Sequence, residues 1–574
     1  MKTRVQEIIA IGDAEFARKL PILSLWQAIS EQFDPVMADY TYTRSMGMEF
    51  ASHLMTGAPA MANRDLSNAI SAMLRPPGQS WFHARTQSEK INKDSQALRW
   101  LDWATEQMRQ AMYLNTSGWT RAAKDGDRSF VTIGNACISL RPNKMLDGLL
   151  YGTHHMRDVA WMEDEAKNVD QIHVKRKVSK RNLMKLFPTT AAENVKATVD
   201  KDPQGLVMCR HVVMRSEDYD SHGSREEIMA AGERRRNRRK LPFTSIWIDV
   251  DNQVLLEEVG QWQLGYIPPR WDTRSQFGYG YSPCSTINIS DARMLQQITL
   301  TLLEAGQKSV DPPYKAVGDM IEGNVNTFAG GMTWVSADYD ERTGSIIEPL
   351  MGTQPNLGWG VDREERIMKL IANGHFLNQI KLPDTTHART AYEVQKLWEE
   401  FIRNTTPLFE PIQAEYNGVV CLETFDMMLR MNGFGAMTDM PRILRGQDVI
   451  FTFDSPLTTA ATRANLQAFT TVGQTTQMAV SMDPTVIADL DVDEAYRDAL
   501  IGAGAPSSWI KDKAAAMKIK AAQRKQLAAQ QQTHAAIGTA AAAGDAGTKI
   551  GNAATMLSQG GLLPTQQPQQ GGAV

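Results

Sequence analysis

Four cysteines in 574 residues, each at least 70 residues from the next, leave no C-x-x-C pair and no His/Cys cluster at metal-ligand spacing. A disulfide framework and a structural zinc site are therefore not expected. No apolar run approaches the 18 or so residues that a membrane-spanning helix needs. The short run Ile8–Ile11 is bracketed by Glu7 and Asp13, unlike a secretory segment. These absences point to a reducing cytoplasm or a particle assembled there, with no membrane contact. An excess of one charge is missing too: 61 Lys and Arg stand against 65 Asp and Glu, a net charge of −4, so no overall basic field exists to hold nucleic acid non-specifically.

The phosphate-cradling G-x-x-x-x-G-K-[ST], the zinc-protease H-E-x-x-H and the hydrolase G-x-S-x-G are all absent. Nothing calls for an enzyme or a cofactor. Asp338–Gly344 opens like a calcium loop but has Thr343 at the required glycine and Pro349 at the bidentate acid, so no metal is expected. His154 and His155 have no ligand partner at a useful spacing and read as a surface or turn pair.

What is present is a globular composition, 42% hydrophobic and 22% charged, with material for about four domains. Helical periodicity covers Glu15 to about Ser52, broken at Asp34-Pro35, then Asp65–Leu74 and Ser95–Asn115. Trp81–Ala84 reads as a short strand, and Phe130–Leu140 as a strand bent at Gly134-Asn135. Phe243–Val250 and Val254–Val259 alternate on either side of Asp251-Asn252, the pattern of a β-hairpin. Two basic runs, Lys175–Lys177 with Lys180-Arg181 and Arg234–Arg236 with Arg238–Lys240, suit phosphates or an acidic subunit if they are not simply solvated loops.

The most informative stretch begins at Ser290, an N-cap candidate, from which a helix runs to about Lys308 and stops at Asp311-Pro312-Pro313. A compact segment from Tyr314 to about Gly360 carries Asp319, Glu322, Asp338, Asp340, Glu341 and Glu348 against Lys315 and Arg342. A second helix restarts at Asp362, with Glu365 three residues on, and ends at Asn373-Gly374. Two helices thus flank a small acidic β module. A long helix opens near Ala388 and is kinked by Pro407 and Pro411; helical patterns return over Leu457–Leu500 and Ser508–Gln530. From Gln526 to Val574 there is no aromatic residue and no material for a core.

Four collinear motifs give the chain a family resemblance. Leu74-Arg75-Pro76-Pro77-Gly78-Gln79-Ser80-Trp81-Phe82 resembles the N-terminal signature of the portal proteins, or head-to-tail connectors, of short-tailed bacteriophages. Arg270-Trp271 with Tyr279–Pro283, Asp291–Pro313 ending in Val-Asp-Pro-Pro, and Thr390-Ala391-Tyr392-Glu393-Val394 resemble the elements that follow in that family. The resemblance spans about residues 15 to 460. It departs from the family pattern at the basic stretch Arg225–Lys240, which reads as an insertion, and at Ser282, where glycine is more usual.

The resemblance implies an α+β portal fold. Residues 1–285 and 388–455 would be the wing, 286–310 and 362–375 the stem, 311–361 the clip, 376–387 the tunnel loop, 456–530 a helical crown and 531–574 a low-complexity tail, disordered or barrel-like. It implies a homo-oligomeric ring, twelve-fold in the family, through which double-stranded DNA enters and leaves a capsid. Partners would be a terminase packaging motor, tail adaptors, and major capsid and scaffolding proteins; the place is the virion, with assembly in the host cytoplasm. Lys381, Asp384 and His387 would come nearest the DNA, and the acids of 311–361 would line the narrow end or recruit partners. A strongly basic bore would grip a duplex that carries one charge per about 1.7 Å, so an acidic or mixed lining suits movement better. The other reading of the same sequence is a scaffold or tail-adaptor protein of a virion with no DNA channel.

Overall fold

The computed structural model describes residues 3–310 apart from 46, 77, 79, 93, 144, 146–147, 225–226, 228–240 and 275–277. Beyond these it describes 314–316, 321–322, 325, 334–336, 347–349, 357–380, 410, 412–436, 439–453, 469–479, 491–502, 516–526 and 529. The fold is mixed α+β.

Helix α1 runs Arg4–Phe33, eleven residues ahead of the expected start at Glu15. The missed signal is a capping box: the Thr3 hydroxyl accepts from the Gln6 N–H and the Gln6 side chain accepts from the Thr3 N–H. Pro21 sits inside the helix, while Asp34-Pro35 ends it and a 3-10 turn follows at Pro35–Met37. The described residues among 38–52 are accordingly not helical. Helix α2, Ala58–Leu74, also begins earlier than expected, with Pro59 in its first turn, where a missing N–H costs nothing. Strand β1 (Phe82–Thr86) and the short helix α3 (Glu89–Asn92) lead to α4 (Ser95–Tyr113), capped by Asp94.

The stretch expected as one bent strand divides. Phe130–Ile133 is the last turn of helix α5 (Trp119–Ile133), and the strand, β2, covers only Ile138–Pro142. The β-branched run Val131-Thr132-Ile133 reads as strand in isolation, but it extends the buried face of a helix that carries Trp119, Ala122, Ala123 and Phe130 inward. Gly134 closes the helix at φ +76°, its N–H donating to the Phe130 carbonyl. A Cβ there would lie 2.2 Å from the Tyr281 carbonyl carbon. Gly134→Ala is therefore expected to lose about 1–2 kcal/mol from backbone conformation alone, with the clash added, as read by chemical denaturation.

Strands β3 (Leu149–Thr153), β4 (Val159–Glu163) and β5 (Val169–Ser179) follow, then helices α6 (Lys180–Leu186) and α7 (Glu193–Thr198). Strand β6 (Leu206–Arg215) and helix α8 (Ser216–Ser221) precede β7 (Phe243–Asp249), β8 (Val254–Gln261), β9 (Tyr266–Ile267), β10 (Asp272–Thr273) and β11 (Gly280–Tyr281). An antiparallel sheet of order β4-β5-β6-β7-β8 lies beside a three-stranded sheet of order β3-β2-β9. The expected hairpin is present as β7–β8, although its turn spans Val250–Gln253, with Gln253 at φ +55°. The first basic run is no loop: Lys175-Arg176-Lys177 lies on β5, paired in register with Arg210, Cys209 and Met208 of β6. The second run falls outside the described residues.

Helix α9 spans Ser285–Val310 and α10 spans Leu357–Gly374, each beginning five residues before the expected position. Between them lie two-stranded ladders, β12 (Tyr314–Ala316) with β15 (Ile347–Pro349) and β13 (Ile321–Glu322) with β14 (Trp334–Val335). Helix α11 (Leu377–Ile380) follows α10. A π-helical turn at Gln413–Gly418 leads into α12 (Val419–Arg430). Strand β16 (Val449–Phe453) returns to pair with β1, binding residues some 370 positions apart into one core with α2, α4, α5 and α12. The helix expected from Ala388 lies outside the described residues. Further on, 469–479, Val492–Gly502 (α13) and 516–526 are helical.

Candidate functional site: the helix hairpin and its anchorage

Every buried residue of α9 falls in its first half: Ser285, Asn288, Ala292, Leu295 and Gln296. There it packs with Ile29 and Phe33 of α1, Ala62 of α2, and Ile367 and Ile371 of α10. The Gln296 amide accepts from the Met55 and Thr56 N–H groups at 2.7 and 3.0 Å and donates to the Thr56 carbonyl, pinning the helix to the segment before α2. Past Gln296 no residue of α9 is buried, and its neighbour is α10. Two glycines let the helices approach. A Cβ at Gly360 would sit 2.3 Å from Leu302 Cδ2, and one at Gly374 would sit 2.1 Å from Asn288 Nδ2. The Thr299 hydroxyl donates to Glu364 Oε1 at 2.8 Å between them. At the base, His375 Nδ1 lies 2.9 Å from the Ile371 carbonyl and 3.2 Å from Asn288 Nδ2, and burial pushes its pKa down to about 4, so the ring is neutral at pH 7.

Ser285, not Ser290, opens α9. The hydroxyl of Ser282 donates to the Val131 carbonyl at 2.6 Å and accepts the Ser285 N–H at 3.3 Å, and the Ser285 hydroxyl donates to the Thr132 carbonyl. The serine that departs from the family pattern thus ties the helix start to the end of α5, work that a glycine has no side chain to do.

Other motif residues among those described are anchors too. Arg75 is buried and paired with Asp127 of α5, its guanidinium 4.7 Å from the centre of the Tyr416 ring. Arg270 pairs with Glu163 and lies 3.6 Å from Glu415, while Trp271 stacks on Phe130 with centroids 5.1 Å apart. Tyr279 packs on Trp161 and Trp26, and Trp81 stacks on Phe453. Lys19, enclosed between Trp26 and Tyr279, donates to the Met156 and Val159 carbonyls, and burial pushes its pKa down to about 7. No sequence signal links Arg75, Asp127 and Tyr416, because the contact joins segments 52 positions apart to a third that lies far along the chain.

The sequence-predicted site residues are only partly placed. Lys381, Asp384 and His387 lie outside the described residues, which stop at Ile380 on this side. So do Asp319, Asp338, Asp340 and Glu341, together with the calcium-like loop. Glu322 lies on β13 opposite Trp334, and Glu348 on β15 opposite Lys315, so the two sit on separate ladders. Among the described residues no group of three or more His, Cys, Asp or Glu is arranged to hold a metal, and no helix is long and apolar enough to cross a membrane.

The structure is thus a mixed α+β body with a glycine-packed helix pair rooted in it and β ladders between the two helices along the chain. Residues 14–510 match the model of the family described as bacteriophage head to tail connecting protein, and the chain belongs to that family. It is a structural component that connects head and tail in a phage-type particle. Among solved structures, a chain from "Virion of native gene transfer agent (GTA) particle" is 9% identical at a TM-score of 0.34, covering 78% of this chain and 94% of that one. A chain from "Neck of empty GTA particle computed with C6 symmetry" is 9% identical at 0.35, covering 73% and 86%. Superpositions this loose add nothing to the family assignment. No curated protein matches the chain.

Proposed function

We propose that copies of this chain close into a ring, twelve-fold by family resemblance, at one vertex of a capsid, and that the ring is the conduit for double-stranded DNA during packaging, retention and ejection. The observation that carries the reading is the hairpin: α9 is rooted in the body by its first half and leaves it in its second, with β ladders between the helices. A heterologous contact repeated about an axis must close to stay finite, and a closed ring with a hole suits a rod-shaped partner. In this reading α9 and α10 are the stem, 311–361 is the clip that meets the terminase motor and then the tail adaptors, and 376–387 is the tunnel loop. Residues 1–285 and 388–455 form the wing against the capsid and scaffolding proteins, with 456–530 as crown.

Lys381 carries the loop's one fixed positive charge, and a ring of such residues makes a discontinuous phosphate contact that centres the duplex without gripping it. Lys381→Ala is expected to leave ring assembly intact and to lower the fraction of particles that keep a full genome, measured by complementing a particle that lacks this chain. Normal packaging and retention by the variant would remove Lys381 from that role.

A further inference from the structure

Between the five-stranded and three-stranded sheets lies an open cavity of about 170 Å³, lined by the exposed Arg141 of β2, Arg176 of β5, Ser245 and Trp247 of β7, and Gln261 of β8. That is room for about five waters. Neither guanidinium has a carboxylate within ion-pairing distance among the described residues. Arg176 donates to His154 Nε2 at 3.1 Å and lies over the Trp247 ring, while the Arg141 side chain has no hydrogen-bond partner among the described residues.

We propose that this cavity is a binding site for one tetrahedral oxyanion of the phosphate class, held between Arg141 and Arg176. Two cations at one cavity repel each other, and an anion between them converts that repulsion into two charge-assisted contacts. Two neutral histidines lie beside the guanidiniums: His154 Nε2 accepts from Arg176, and His211 lines the cavity. His154 and His211 are pushed down to about 3, by burial first and then by the nearby guanidiniums. Tyr266, whose phenol burial keeps protonated, lies 2.5 Å from His211 Nδ1, and His211 Nε2 lies 2.8 Å from the Ser245 oxygen. With Tyr266 donating to Nδ1, the imidazole proton is on Nε2 and goes to Ser245, which leaves the Ser245 hydroxyl hydrogen free for the cavity. Donors on both sheets suit a tetrahedral acceptor better than a planar carboxylate, which a single guanidinium fork satisfies.

The test is calorimetric and thermal titration of the full-length assembly with inorganic phosphate, against chloride at matched ionic strength. Saturable binding with a rise in Tm is expected, and Arg141→Gln, which breaks no hydrogen bond, is expected to weaken it about tenfold or more. Arg85→Gln, which removes a guanidinium already paired with Asp102, serves as the charge-matched control and should leave binding unchanged. Absence of saturable binding, an equal response to chloride, or equal loss in both variants would overturn the site. A competing arm with a short DNA duplex separates sources: displacement of phosphate identifies the bound group as one carried by nucleic acid, and no displacement as the free ion.

Discussion

Asp127→Ala is expected to destabilise the chain by about 3–5 kcal/mol, because it strands the buried Arg75 guanidinium without its counter-charge. Both side chains are almost wholly hidden, at 2% and 1% exposure, so water cannot replace the lost partner. Tyr416 offers a ring face and a hydroxyl, neither of which neutralises a guanidinium. The effect should reach beyond stability. Arg75 ends α2, Asp127 lies on α5 and Tyr416 lies on the π-helical turn, so the pair welds segments of which α2 and α5 meet α9. The double change Arg75→Met with Asp127→Leu is expected to recover most of the loss, since it removes both desolvation costs together. Chemical denaturation reads both variants. A loss below about 1 kcal/mol for Asp127→Ala would mean the pair behaves as an exposed ion pair and is not the weld described here.

Acidification from pH 7 to 5 is expected to destabilise the protein. His154, His173 and His211 are pushed down to about 3 and His375 to about 4, in each case chiefly by burial. Their folded values lie below the ordinary 6.5 or so, so from there down to about 4 the unfolded chain takes up four protons that the folded chain refuses. Asp34 and Glu423 act in the opposite sense: burial pushes them up to about 6 and about 7, so the folded chain holds two protons the unfolded chain has released. Lys19 is protonated in both states below about 7 and adds no slope there. Burial pushes Asp127, Asp170 and Asp426 up as well, in the same sense as Asp34 and Glu423, so the net loss is at most about 2–3 kcal/mol per pH unit near pH 5. His173→Gln removes one of the four and should flatten the slope by about half. Urea midpoints between pH 7 and 5 measure it, and a flat or rising profile would contradict the burial of these rings.

Much of the architecture was legible because it is local. Period-3.6 patterns located the bodies of α1, α2, α4, α9 and α10, and strict alternation located β7 and β8. The helix starts were legible only in part. Thr3 with Gln6, Pro59, and Ser282 with Ser285 are one-residue signals ahead of the periodic stretch, and a more conspicuous serine at 290 drew the boundary inward. The end of α5 was misread because β-branched residues favour strand in isolation, whereas burial against the core decides in the folded chain. Strand β5 hid under its lysines and arginines, since the aliphatic stems of such residues can lie along a sheet while their charges reach outward.

The site was legible as an order of elements, not as a set of contacts. Helix, acidic β module and helix could be read in sequence because each is continuous there. The anchors could not: Arg75 with Asp127, Gln296 with residues 55 and 56, and Asn288 with His375 are pairings that only the tertiary fold creates. Of the motif residues that gave the family resemblance, Ser282 ties down the start of α9, Arg75, Trp81, Arg270, Trp271 and Tyr279 pack within the body, and Thr390–Val394 lies outside the described residues.

The most direct test of the ring is the native mass of the purified protein, with particle images viewed down the axis. A species of about 770 kDa, twelve times the 63.9 kDa chain, with a central hole is the expected result. A chain that stays monomeric or dimeric across salt conditions would contradict the closed assembly, and with it the conduit.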